Sequence, residues 1–215
     1  MNQDFVILCA AGMLVSLYLM VGQKALVVAI RLYGFQSLLL GAVGVAMGLA
    51  EHRTHFFVTA FLTIGLKALL IPWFLLRVID RVGIRREIEP YLNVPASLIL
   101  CLGLTVVGYR VSLGMAGASQ GTPHQVVGVA LSMVLIGLFL MVTRRKALTQ
   151  ILALLTIENA VFLVAVGATS GMPLVVELGI SFDVILAVLV LGILVGRIVE
   201  RFESMDTSRL SRLKG

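Results

Sequence analysis

Charge is what this sequence lacks most. Asp, Glu, Lys and Arg make up 13% of its 215 residues, about half the share of an ordinary soluble domain. With 60% hydrophobic residues and a mean hydropathy of +1.07, the chain cannot be solvated on all sides. Cysteine is nearly absent: Cys9 and Cys101 both lie in apolar runs, where they read as small hydrophobes rather than as a disulfide or a metal pair. There is no nucleophile and base motif, no zinc-binding helix signature, no CxxC pair and no dinucleotide fingerprint, and no glycine sits in a phosphate loop. The chain is therefore expected to carry no catalytic centre, cofactor or metal of its own. The start, Met1-Asn2-Gln3-Asp4, has an acid where a signal peptide has bases, so the first apolar segment is expected to remain in the mature protein.

What is present is apolar sequence in lengths that matter. Stretches of about 20 residues, enough to cross a hydrocarbon core of about 30 Å, recur along the whole chain. Windows of that length predict an all-α, polytopic membrane protein with seven spans, near 4–22, 25–50, 55–79, 94–115, 125–143, 147–168 and 172–198. Disorder, a secreted disulfide scaffold, a coiled coil and a nucleic-acid binder are excluded together. Each link has a local cause: Gly22 to Lys24, Glu51 to Arg53, the charged stretch Asp80 to Pro90, Arg144-Arg145-Lys146, and Ser170-Gly171. Pro173 suits a helix start, whereas Pro72 falls inside the third span and predicts a kink or local unwinding there. The implied organisation is a three-helix membrane unit over 1–79, a linking helix at 94–115, a second three-helix unit over 125–198 and a polar tail at 199–215.

An odd number of spans places the termini on opposite sides, and Lys/Arg asymmetry decides which. With the N-terminus outside, the inner side holds Lys24, Arg77, Arg81, Arg85, Arg86, Arg144, Arg145, Lys146, Arg197, Arg201, Arg209, Arg212 and Lys214, and the outer side only Arg53 and Arg110. The reading is N-terminus out and C-terminus in the cytoplasm. The net charge of +6 is thus an orientation signal rather than a nucleic-acid footprint.

Depth then singles out residues, because a helix rises about 1.5 Å per residue. Lys67 is the midpoint of the third span, Glu158 lies at that of the sixth, Asp183 is two residues from that of the seventh, and Gln36 is next to that of the second. A charge at that depth costs roughly 2.5–3.5 kcal/mol even on lenient insertion scales. It must be paired, neutralised or hydrated. One reading is an ion pair that fixes helix packing. The other is a proton or ion path: burial disfavours the charged form, a nearby opposite charge restores it, and a group alternating between the two environments binds and releases protons.

The remaining polar groups carry weaker signals. Glu177 lies four residues after Pro173, near a helix N-terminus that favours an anion, and is kept as a path residue of lower weight. Arg31, about 10 Å from mid-depth, can snorkel to the interface. His52 and His55 share an i,i+3 spacing in a short link, a weak metal signal, and His124 borders a span. Phe162 and Met141 read as core or lipid-facing surface.

The chain also resembles itself. Leu19-Met20-Val21 with Lys24-Ala25-Leu26 recurs as Leu140-Met141-Val142 with Lys146-Ala147-Leu148, and twelve residues after the lysine stands Gln36 in one copy and Glu158 in the other. The matched spans share a direction, which reads as a parallel repeat of three helices around an unpaired fourth.

Three segments carry a family resemblance: Lys67-Ala68-Leu69-Leu70-Ile71-Pro72, Thr156-Ile157-Glu158-Asn159, and Glu177-Leu178-Gly179-Ile180-Ser181-Phe182-Asp183-Val184-Ile185-Leu186-Ala187-Val188. With the ending Leu210-Ser211-Arg212-Leu213-Lys214-Gly215 they resemble the E component of hydrogenase-4 over essentially the full length. The last three spans are similar to the K-type membrane subunit of respiratory complex I, which has one buried glutamate on each of its second and third helices. Glu158 matches the first of these and Asp183 the second, one methylene shorter. The resemblance implies a non-catalytic subunit of a complex-I-like hydrogenase or formate hydrogenlyase in a bacterial or archaeal cytoplasmic (inner) membrane. Its implied partners are antiporter-like subunits, a hydrogenase membrane anchor and the lipid bilayer, with redox chemistry in other subunits.

The leading expectation is a proton path through Glu158, Asp183 and Lys67, with Glu177 and Gln36 as further members. A scaffold whose charges serve only registry stands beside it. So does a small subunit of a multisubunit cation/proton antiporter; a stand-alone carrier is disfavoured by the lack of a pair of interrupted helices.

Overall fold

A computed structural model describes residues 3–51, 54–82, 92–115, 124–144 and 146–168. Every regular element in this range is helical: α1 (Gln3–Gly22), α2 (Leu26–Glu51), α3 (Thr54–Leu62), a π-helical segment (Thr63–Leu70), α4 (Ile71–Val82), α5 (Val94–Met115), α6 (His124–Thr143) and α7 (Ala147–Ala168). Among the described residues six helices are long and apolar enough to cross a membrane, the third of them built from α3, the π segment and α4. They coincide with the first six expected spans to within three residues at each end, because apolar run length and charged links fix where a helix can lie in lipid. The protein is a multi-pass membrane protein. The seventh expected span, and with it Glu177, Asp183 and the tail, lies outside the described residues.

Helix α1 packs against α2 and α6, and α7 against α6 and α2, so these four form the centre. The third span flanks α2, and α5 lies against α6 and α1. Between lipid-soluble helices the hydrophobic effect supplies little, and close packing of small residues supplies more. On α2, Gly34, Ser37, Gly41 and Gly44 follow one another at helical spacing along a single face. A Cβ at Gly34 would lie 3.3 Å from the Ala68 carbonyl oxygen and from Pro72, one at Gly41 would meet Ile64, and one at Gly44 would lie 3.2 Å from Ala60 Cβ. The third span is therefore seated against α2 backbone to backbone. Elsewhere Gly108 admits the backbone of Ser132 from α6, and Gly137 of α6 admits Ile157 of α7.

The π segment follows from Pro72. Proline offers no N–H to the carbonyl four residues back, and its ring presses on that carbonyl. The helix responds upstream by widening: Ile71 N–H bonds to the Leu66 carbonyl, five residues back, a π-type turn. The expected disturbance is thus a widening over Thr63–Leu70, centred on Lys67, rather than a break at the proline.

Candidate functional site

The widened segment carries Lys67 to the middle of the protein. Its side chain reaches α7, where Nζ lies 3.2 Å from Glu158 Oε1. Both are buried, at 2% and 5% relative exposure. The ring of Phe162, one turn beyond Glu158 on α7, stands 6.0 Å from Nζ, at the limit of a cation–π contact. Lys67 and Glu158 each compensate the other's charge away from water.

Beside this pair runs a neutral polar chain. Asn159 Nδ2 donates to Gln36 Oε1 at 3.3 Å and to Ser37 Oγ at 3.0 Å, and Gln36 Nε2 donates to the Met13 carbonyl at 3.2 Å. These bonds tie α7 to α2 and α2 to α1. Gln36, Ser37 and Asn159 are all fully or nearly fully buried. Asn159 Oδ1 is buried with no hydrogen-bond partner among the described residues, so the chain retains one acceptor for a water or a donated proton. Tyr33, also buried, lies one turn before Ser37 on α2. Because Glu158 and Asn159 are adjacent on α7, the ion pair and the amide chain share a depth.

Of the five expected path residues, Lys67 and Glu158 meet directly, and Gln36 joins them through Asn159. Asp183 and Glu177 lie outside the described residues. Asn159 and Ser37 were not singled out from the sequence as path residues. Their signal was there: Gln36-Ser37 and Glu158-Asn159 are polar doublets inside otherwise apolar runs. Arg31, read as a snorkelling residue, is exposed on α2. Arg144 contributes to the orientation bias, yet it is 7% exposed and donates Nη2 to the Val21 carbonyl at 2.8 Å, neutralising the negative end of α1. His55 falls in α3 while His52 lies outside the described residues, and His124 meets Tyr109 edge to face at 6.3 Å. Among the described residues no group of three or more His, Cys, Asp or Glu is arranged to hold a metal ion.

Comparison with known proteins adds kinship. An uncharacterized protein of Mycobacterium tuberculosis is 32% identical over 217 residues, 99% of each chain. Hydrogenase-4 component E of Escherichia coli K12 is 31% identical over 212 residues, 94% of each chain. The chain belongs to the hydrogenase-4 component E family. The same protein of Shigella flexneri matches to the same extent. No family model and no solved structure matches the chain. In this member of the hydrogenase-4 component E family, the aligned length takes in nearly all of the six helices and the buried pair they carry.

Proposed function

We propose that this protein is a non-catalytic integral membrane subunit of a complex-I-like hydrogenase of the hydrogenase-4 or formate hydrogenlyase type, and that it contributes buried charges to proton translocation driven by redox chemistry in other subunits. Kinship with hydrogenase-4 component E supports the complex. The observation that carries the proton role is the Lys67–Glu158 pair, enclosed at mid-depth on two different helices. In the paired state both groups are charged. When Lys67 is drawn away, by movement of the widened turn or by a neighbour's charge, Glu158 loses the opposite charge beside it and its protonated form is favoured, so it takes up a proton. Return of the ammonium expels it. Asn159, Gln36 and Ser37 supply neutral hydrogen-bonding groups beside the pair.

We further read Asp183, with Glu177, as the next carboxyls along the path, from their depth in the seventh expected span and the similarity of 125–198 to the K-type subunit. The N-terminus is read as outside, the membrane as the bacterial or archaeal cytoplasmic one, the partners as antiporter-like and membrane-anchor subunits, and the cofactors as belonging to those partners. The matched hairpins α1–α2 and α6–α7, which pack against each other, support descent from a parallel repeat. A scaffold role has one observation in its favour: the Asn159 to Gln36 and Ser37 bonds would fix the register of α7 on α2 without any proton moving.

The test uses inverted membrane vesicles holding the assembled complex. Glu158→Gln is expected to abolish hydrogenase-linked acidification while the subunits still co-purify. Undiminished acidification in Glu158→Gln would remove the proton role and leave the scaffold.

A further inference from the structure

Phe162 reads from the sequence as core or lipid-facing surface, and the structure gives it a more specific place. It stands four residues after Glu158 on α7, so both side chains leave the same face of the helix, and it is 8% exposed. Helical side chains lean toward the N-terminus, which brings the ring back over the turn that carries Glu158. Lys67 Nζ lies over this ring, 6.0 Å from its centroid, while it also lies 3.2 Å from Glu158 Oε1. A single helix thus offers the ammonium both an anion and the face of an aromatic ring.

These two neighbours treat a proton differently. The carboxylate attracts the ammonium and can also take a proton. The ring attracts it through the negative potential of its face and has no lone pair on which a proton could settle. That attraction is weak beside water and stronger where water is excluded, and Lys67 is only 2% exposed. A buried ion pair that opens has two ways to shed the cost of two separated charges: the carboxylate gains a proton, or the ammonium loses one. A ring face beside the ammonium makes the cation less costly to keep and does nothing for the carboxylate. The 6.0 Å separation is the outer reach of such a contact while the pair is closed, as suits a second position that the ammonium approaches on leaving Glu158. An aliphatic side chain would fill the same space without that preference.

We propose that Phe162 is a positioning residue for Lys67: its ring holds the ammonium as a cation when the ion pair opens, so that the proton exchanged at this site is carried by Glu158. Opening adds one proton to the Glu158 carboxylate and closing releases it, while Lys67 keeps its three N–H bonds throughout. The statement about proton exchange rests on the proton role proposed above; the contact between ring and ammonium does not.

Stepwise fluorination of the Phe162 ring, by incorporating its mono-, di- and trifluorinated forms into the full chain, weakens the negative face with little change of shape and no loss of apolarity. In the protein purified in detergent, the melting temperature is expected to fall with each fluorine, by about 2–4 °C at the third. When Lys67→Met and Glu158→Leu are combined, fluorination is expected to leave it unmoved. A level series with Lys67 and Glu158 in place, or the same fall in both backgrounds, would overturn the contact and leave Phe162 as packing. Proton exchange is read in inverted vesicles as protons moved per hydrogen produced by the assembled complex, and the trifluorinated ring is expected to lower that ratio about twofold, the weight of a weak cation–π contact. An unchanged ratio there, with Glu158→Gln still abolishing acidification, would overturn the ring's part in proton exchange while the proton role stands. Undiminished acidification in Glu158→Gln would remove the proton role and that part with it, and the melting series would then decide the contact alone.

Discussion

At the scale of single residues, the informative feature is that two opposite charges and two amides occupy one depth. Removing one member of a buried ion pair typically costs about 3–5 kcal/mol, because the partner remains charged and alone. Glu158→Gln is accordingly expected to lower the melting temperature of the purified protein, and Lys67→Met combined with Glu158→Leu to restore most of it, as thermal unfolding in detergent will register. Asn159→Leu removes two hydrogen bonds between α7 and α2 and strands Gln36 Oε1. A loss of about 1–3 kcal/mol follows, visible in the same melt. Depth arithmetic made Lys67, Glu158 and Gln36 legible in the sequence, since a residue number converts to a height in the membrane. It could not tell which faces meet. Rotation about each helix axis decides that Glu158 finds Lys67 while Asn159 finds Gln36, and rotation is set by packing against neighbours. Arg144 illustrates the same limit: counted as one of many inner-side bases, it is a buried clamp on the end of α1.

At the scale of elements, the third span carries the clearest cause and effect. Pro72 forces the wide turn, the turn brings Lys67 inward, and Gly34 leaves room for the Ala68 carbonyl and Pro72 against α2. Pro72→Ala restores an N–H and lets the segment return to α-helical register, turning the residues upstream by about 100°. Lys67 then leaves Glu158. The expected result is loss of hydrogenase-linked acidification comparable to that of Lys67→Met, with co-purification retained; wild-type acidification in Pro72→Ala would disconnect the wide turn from the site. Gly108 has a different role, because a Cβ there would lie 2.7 Å from the Ser132 backbone nitrogen. Overpacking of this kind costs typically about 1–3 kcal/mol, so Gly108→Ala should lower the melting temperature without altering proton coupling in complexes that assemble. Span positions were legible because lipid demands long apolar runs. The widening was only half legible: a proline says that a helix must be disturbed, whereas the neighbour's small residues select how.

At the scale of the whole molecule, the helices form two antiparallel hairpins side by side, α1–α2 and α6–α7, with the polar network across their contact. Asn159 and Gln36 join the two hairpins in that network, Gln36 being bonded to the neighbour of Glu158. The positive-inside bias gives a separate prediction. A single cysteine introduced at Gln120 should react with a membrane-impermeant maleimide added to intact cells, and one introduced at Arg145 only after the membrane is opened; the reverse pattern would invert the orientation.

The proposed proton role rests on one pair, whose packing a well-fitted apolar pair can replace and whose charges it cannot. The double variant Lys67→Met with Glu158→Leu separates the two properties, since it removes both charges together and keeps an apolar contact in their place. Its readout is protons moved per hydrogen produced by the assembled complex in inverted vesicles. If Lys67 and Glu158 carry protons, the variant complex assembles and turns over hydrogen with that ratio reduced. An unchanged ratio in an assembled complex would contradict the proton role and leave the pair as a packing device.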